Sequence, residues 1–113
     1  MAQSSPQVRD LRLYPNPHTN APALCTVGSR EWFAWLESAT RFRYQTAQRL
    51  PVHARYSRAM RPISVRKEKR RRGYLWYANL RVHGILYKRY VGRTSDLSVE
   101  RLDLIALDLN QQW

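Results

Sequence analysis

The alternation of apolar and polar positions is clearest between Tyr74 and Gly92, where two runs rich in aromatic and β-branched residues flank His83-Gly84. A two-residue turn of this kind joins tight β-hairpins and sets their register. The register pairs Val82 with Ile85, Leu80 with Tyr87, Ala78 with Arg89 and Trp76 with Val91. One face is then apolar except for Arg89, and the other is basic and aromatic: Leu75, Tyr77, Asn79, Arg81, Leu86, Lys88 and Tyr90. A slip by one residue would mix the two faces.

Two other stretches alternate in the manner of β-strands. Arg41–Thr46 places its two aromatic residues on one side and its charged or polar residues on the other. Ile63–Lys69 alternates again, after a proline that suits the start of a strand or a sheet edge. If its apolar residues face the core, Arg66 joins the basic face of the hairpin. The segment 52–61 shows no clear pattern.

Two segments have the apolar period of an amphipathic helix. Ser29 is a good N-cap, and the helix that follows, 29–39, groups Trp32, Trp35, Leu36 and Ala39 on one face. This spacing favours burial of the tryptophans in a core over stacking on bases. The second helix starts after Leu97 or Ser98. Its apolar stripe is suited to cover the hairpin's apolar face: Val99, Leu102, Ile105, Ala106 and Leu109.

The first 28 residues contain Pro6, Pro15, Pro17 and Pro22, a density that argues against a helix. We expect two short extended pieces, Val8–Tyr14 and Ala23–Val27, in an irregular and loosely attached arm. The chain thus divides into an arm, 1–28, and one α+β domain, 29–113. In that domain a three- or four-stranded antiparallel sheet packs against the C-terminal helix, accompanied by the tryptophan helix.

The charge of the chain is concentrated in one block. The 113 residues suit one domain, and their formal net charge is +12. Residues 41–93 hold sixteen of the twenty Lys and Arg residues, against Glu68 as the sole acidic residue. A positive field focused on one region attracts polyanions, of which nucleic acid is the commonest. The alternative is a charged surface that serves solubility.

The sequence offers little for catalysis. Cys25 is the only cysteine, which excludes an internal disulfide and a thiolate metal site. His18, His53 and His83 have no partner at metal-ligand spacing, and no glycine-rich phosphate loop occurs. We therefore predict a non-enzymatic protein without a metal or cofactor. No apolar run approaches the ~20 residues of a membrane span, so a cytoplasmic location is expected.

The basic face has the residue types that read duplex DNA. A β-ribbon fits the major groove, where Arg81 and Lys88 can reach guanine and Asn79 can bridge adenine. Tyr77 and Tyr90 can contact sugar, phosphate or a thymine methyl group. The run Lys69, Arg70, Arg71 and Arg72 falls in the turn before the hairpin, where it would contact phosphates. Alternatively, this run is a solvated loop or a nuclear-import signal.

The stretch GYLWYANLRVHGILYKRYVGRTSDLSVERLDLIAL resembles the Arm-type, or AP2-like, DNA-binding domain that precedes the catalytic domain of tyrosine recombinases. The resemblance extends over residues 63–109, and similar modules begin some bacterial regulators. It implies a three-stranded antiparallel sheet, backed by a C-terminal helix, that lies in the major groove. It assigns groove-facing roles to Arg66, Tyr77, Asn79, Arg81, Lys88 and Tyr90. The recombinase catalytic residues have no counterpart in this sequence.

The function predicted from these features is a non-catalytic module that binds double-stranded DNA, in a bacterial, phage or mobile-element regulator or a recombination-associated protein. One alternative is an RNA-binding protein that stacks unpaired bases on Tyr77 and Tyr90. Another is a small basic adaptor or inhibitor that docks an acidic protein. Leu104 and Leu107 lie on the far side of the last helix and leave a homodimer open.

Overall fold

The structure, a computed structural model, describes residues 5–16, 20–53 and 56–112. Within these ranges it has nine strands, two helices and a short 3₁₀ turn, Thr94–Asp96. The strands are β1 Gln7–Arg9, β2 Arg12–Tyr14, β3 Cys25–Thr26, β4 Arg41–Tyr44, β5 Arg49–His53, β6 Tyr56–Ala59, β7 Ile63–Arg70, β8 Gly73–Val82 and β9 Ile85–Gly92. The helices are α1 Arg30–Ser38 and α2 Val99–Asn110. The predicted α+β class is confirmed.

The main sheet is larger than the sequence predicts. Among the described strands, seven follow the order β3-β2-β1-β4-β7-β8-β9, and only β1 and β4 of these pair in parallel. The expectation of a three- or four-stranded antiparallel sheet is therefore wrong in its extent. The strands β5 and β6 form a separate pair, which begins at Arg49, before the segment 52–61 that showed no clear pattern, and ends inside that segment. The two residues between them, 54 and 55, lie outside the described residues, as do Pro17 and His18.

The hairpin of β8 and β9 has the predicted register along most of its length. Val82 pairs with Ile85 across the His83-Gly84 turn, and Ala78 pairs with Arg89. Trp76, however, pairs with Gly92 and not with Val91, because a register shift between Trp76 and Tyr77 makes room for one additional residue in β9. His83 and Gly84 both have positive φ, as the mirror-image turn between twisted strands requires.

The N-terminal segment belongs to the sheet, so the expectation of an irregular and loosely attached arm was wrong. Val8 of β1 and Leu13 of β2 are completely buried in the core. Pro6 and Pro15 lie just outside this β-hairpin, where the missing N–H is not needed for pairing. The proline pattern excludes a helix in this segment, but it does not exclude strands that begin and end at prolines.

Both helices pack on the same face of the main sheet. Ser29 caps α1 by accepting a hydrogen bond from Trp32 N at 3.2 Å, as its residue type predicts. Trp32 is completely buried: its ring meets Phe42 edge to face at 5.2 Å, and its Nε1 donates to the carbonyl of Leu97. The helix α2 buries Leu102, Ile105, Ala106 and Leu109 of the predicted stripe, along with Asn110.

Polar contacts fix α2 against the sheet. Arg89, the one charge on the hairpin's apolar face, forms an ion pair with Asp108 at 2.7 Å. Asp103 accepts hydrogen bonds from Tyr44 Oη at 2.6 Å and from Thr46 Oγ1 at 2.7 Å. Because these contacts join β4 and β9 to the same helix, they orient strands that are distant in sequence.

Candidate nucleic-acid interface

One face of the seven-stranded sheet is not covered by either described helix, and we call it the open face. Strand alternation directs the side chains next to each core residue onto it. Its members are Gln7, Arg9, Arg12, Tyr14, Arg41, Arg43, Ser64, Arg66, Glu68, Arg70, Leu75, Tyr77, Asn79, Arg81, Leu86, Lys88 and Tyr90. Eight of these described residues are cations and Glu68 is the one carboxylate, so the face carries a strong positive potential.

The open-face residues form rows across the strands. One row runs from Arg43 on β4 through Ser64 and Asn79 to Lys88 on β9. It therefore has a cation at each end and two uncharged hydrogen-bonding side chains in the middle. The described residues provide no hydrogen-bond partner for the Asn79 amide or the Ser64 hydroxyl, and both side chains are half-buried.

The adjacent row contains Arg41, Arg66, Tyr77 and Tyr90. Arg41 and Arg66 are directly opposite each other on antiparallel strands, and neither forms an ion pair within the described part of the chain. Like charges in directly opposed positions destabilise a sheet. An anion bound between them would remove that repulsion.

A shallow depression of about 390 Å³ lies beside the middle of the first row and includes Arg66 of the adjacent row in its lining. Ser64 and Asn79 line it together with Leu86, and arginines surround them: Arg43, Arg61, Arg66 and Arg81. Its lining thus combines hydrogen-bonding groups, an apolar contact and cations. These are the groups that recognise a base edge beside a phosphate backbone.

Tyr77 contacts two cations near the end of the hairpin that lies away from the His83-Gly84 turn. Its ring lies 4.8 Å from the Arg70 guanidinium and 4.6 Å from Lys88 Nζ, both within the range of cation–π contacts. Glu68 bridges the same two cations, at 3.0 Å from Arg70 and 2.7 Å from Lys88. The hydrogen bond from Lys88 is the main cause that lowers the pKa of Glu68, so this carboxylate is ionised at neutral pH.

The exposed tyrosines border a notch at the sheet edge. It has a volume of about 750 Å³ and forms where β9 ends while β7 and β8 continue. Tyr74 and Tyr90 are both exposed beside it, with Arg70, Arg72 and Arg93 also in its lining. Tyr90 is therefore a more accessible ring than Tyr77, which is half-buried and contacts two cations.

The structure brings the six predicted groove-facing residues onto one face: Arg66, Tyr77, Asn79, Arg81, Lys88 and Tyr90. The predicted phosphate-contacting run is divided. Arg70 lies on the open face, Lys69 points to the helix side of β7, and Arg71 and Arg72 form the turn before β8. The prediction that all four occupy the turn was wrong, because β7 extends through Arg70.

Sequence reasoning missed four arginines of the open face: Arg9, Arg12, Arg41 and Arg43. The alternation around Phe42 indicated a strand, but nothing local showed that β4 pairs with β7 and β1. Leu104 is 60 % exposed and Leu107 is half-buried on the outer side of α2, so a homodimer through them remains a prediction. No group of three metal-ligating side chains occurs within the described ranges.

The fold and the site define a class: an α+β protein with helices on one face of a mixed sheet and a basic, hydrogen-bonding surface on the other. A scan against models of protein families, a search of curated proteins and a search of solved structures each found no match. Neither described helix has the length and apolar character that crossing a membrane requires.

Proposed function

We propose that this protein is a non-catalytic module that binds duplex DNA, with the β4, β7, β8 and β9 part of the open face against the major groove. The observation that supports this proposal most directly is the row of Arg43, Ser64, Asn79 and Lys88, which is cationic at both ends and uncharged in the middle. A groove has the complementary order, since phosphates border it and base edges form its floor.

The width of this part of the sheet agrees with that arrangement. Neighbouring strands are separated by about 4.8 Å, so the backbones of β4 and β9 lie about 14 Å apart. The major groove is about 12 Å wide. Arg43 and Lys88 are then positioned over the two phosphate backbones, while Ser64 and Asn79 face the bases between them.

The central residues suit base recognition and the border residues suit phosphate binding. The Asn79 amide can donate to N7 and accept from N6 of adenine in a bidentate contact. Arg66 and Arg81 border the same depression and can donate to guanine. The row therefore predicts that specificity and affinity depend on different residues of one face.

The test is a binding titration with fluorescent duplexes of random and selected sequence, at several salt concentrations. Arg43→Gln should weaken binding to all sequences alike and reduce the salt slope by about 0.9, the contribution of one phosphate contact. Asn79→Ala should instead relax the preference at one base pair, by about 1–3 kcal/mol, with the salt slope unchanged. Arg30→Gln is the matched control, because Arg30 is exposed on α1 in the helix layer.

Competition with other ligands separates this proposal from its alternatives. Single-stranded DNA or structured RNA that displaces the duplex at equal concentration would favour recognition of unpaired bases, for which Tyr74 and Tyr90 at the notch are the available rings. Affinity that does not change with salt, or that survives Arg43→Gln and Asn79→Ala together, would refute binding through the open face. Absence of binding to any nucleic acid at low salt would favour the acidic-protein partner.

A further inference from the structure

The β-hairpin of β1 and β2 carries a second pair of directly opposed arginines. Arg9 and Arg12 are cross-strand partners that flank the turn, and both side chains are exposed on the open face. Neither forms an ion pair within the described residues, although Asp10 lies between them in sequence. As with Arg41 and Arg66, two like charges in this position repel each other when no anion is bound.

The turn between the two arginines has an unfavourable backbone. Asp10 and Leu11 have φ angles of 51° and 65°, the left-handed values that a mirror-image two-residue turn requires. Glycine or asparagine adopts these angles easily, whereas leucine does so rarely. Strain of this kind is maintained where the surrounding structure holds it, and it is common at functional sites.

The rest of the hairpin keeps the pair in place. The Arg9 guanidinium lies 4.5 Å from the centre of the Tyr14 ring, which limits its freedom. Leu11 carbonyl accepts a hydrogen bond from Val27 N, and β3 pairs with β2, so the turn is tied to the next strand. Both arginines therefore project from an ordered backbone, and the contact with Tyr14 reduces the conformational entropy that the Arg9 side chain loses when it binds an anion.

We infer that Arg9 and Arg12 form a phosphate-binding clamp that contacts the DNA backbone outside the groove occupied by β7 and β8. This inference rests on the proposed function, since β1 and β2 continue the same open face beyond β4. Arg43 lies on β4, at the border of the groove-facing part. The strand β1 is next to β4 in the sheet, and β2 is the next strand outward. A phosphodiester is a suitable ligand because arginine binds its oxygens in a bidentate manner.

The experiment measures the affinity for a random-sequence duplex between about 50 and 200 mM salt. Arg9→Gln and Arg12→Gln remove the charges and keep the aliphatic stems. Each should reduce the salt slope by about 0.9 and the affinity at about 0.1 M salt by about eightfold, and the double variant by about 60-fold. Sequence preference should not change, because phosphate contacts do not read bases. The melting temperature of free Arg12→Gln should be equal to or above that of the parent, since the repulsion is relieved, whereas Arg9→Gln also loses the contact with the Tyr14 ring.

Three distinguishable outcomes would overturn the clamp. If Arg9→Gln and Arg12→Gln match the Arg30→Gln control while Arg43→Gln still reduces the slope, the groove interface stands and the clamp is wrong. If the parent protein binds no duplex with a salt-dependent affinity, the proposed function fails and the clamp fails with it. A change in sequence preference in either variant would also contradict a role limited to phosphate.

Discussion

Replacing Asp103 with alanine tests the link between α2 and β4, the strand that carries Arg41 and Arg43 on the open face. Tyr44 and Thr46, both buried, donate to Asp103 Oδ1 at 2.6 and 2.7 Å. A hydrogen bond to a charged group contributes about 1.5–3 kcal/mol, and its loss leaves the buried donor unsatisfied. Because water can reach the half-buried Asp103 position, we expect Asp103→Ala to lower the free energy of unfolding by about 2–4 kcal/mol.

Urea unfolding followed by tryptophan fluorescence measures this loss. Tyr44→Phe keeps the buried ring and removes only the hydroxyl, so the two single variants and the double variant form a cycle. We expect a coupling free energy of about 1 kcal/mol or more between the two side chains. A loss below about 1 kcal/mol for Asp103→Ala, or single-variant effects that simply add, would refute the view that this contact holds β4 to α2.

The same link predicts a dependence on pH. Burial is the largest cause that raises the pKa of Tyr44, and the hydrogen bond to the Asp103 carboxylate raises it further. Since the pKa is higher in the folded than in the unfolded protein, this contribution to stability is complete below about pH 10 and declines as pH rises above that value. Tyr44→Phe should remove this decline, so the free energies of the parent and variant should converge in alkali. A difference independent of pH would contradict the assignment.

Two further substitutions test the close approach after β9 and the ion pair between β7 and β9. Gly92→Ala places a Cβ 2.7 Å from Asp96 Cβ at a φ of 146°, so we expect a loss of about 1–3 kcal/mol in unfolding experiments. Gly84→Ala is the control, because its φ is also positive but nothing lies near its added Cβ; an equal loss there would exclude the clash. Glu68→Gln frees Lys88 and removes a negative charge, which should tighten duplex binding about threefold for one phosphate about 7 Å away. Weaker binding would mean that Glu68 helps DNA binding more by holding the cations in place than it opposes binding by neutralising part of their charge.

The elements that could be predicted are those specified by neighbouring residues. The His83-Gly84 turn determines which side chains of β8 and β9 share a face, and Ser29 marks the start of α1. The apolar stripe of α2 is likewise a local pattern. The one error in the hairpin, at Trp76, arises from a bulge where Gly92 turns the chain toward Asp96. Such an irregularity depends on a close approach between residues that alternation does not describe.

The sequence by itself determined the β8–β9 hairpin, the two helices and a basic surface that includes Arg81 and Lys88, because turn chemistry and periodicity act within a few residues. Only the tertiary structure decided that β1, β2 and β4 extend that surface. Each of the first two strands buries a single residue, Val8 or Leu13, too little to give a recognisable period. Their place depends on parallel pairing with a strand more than thirty residues away, through backbone hydrogen bonds that are available to almost any side chain.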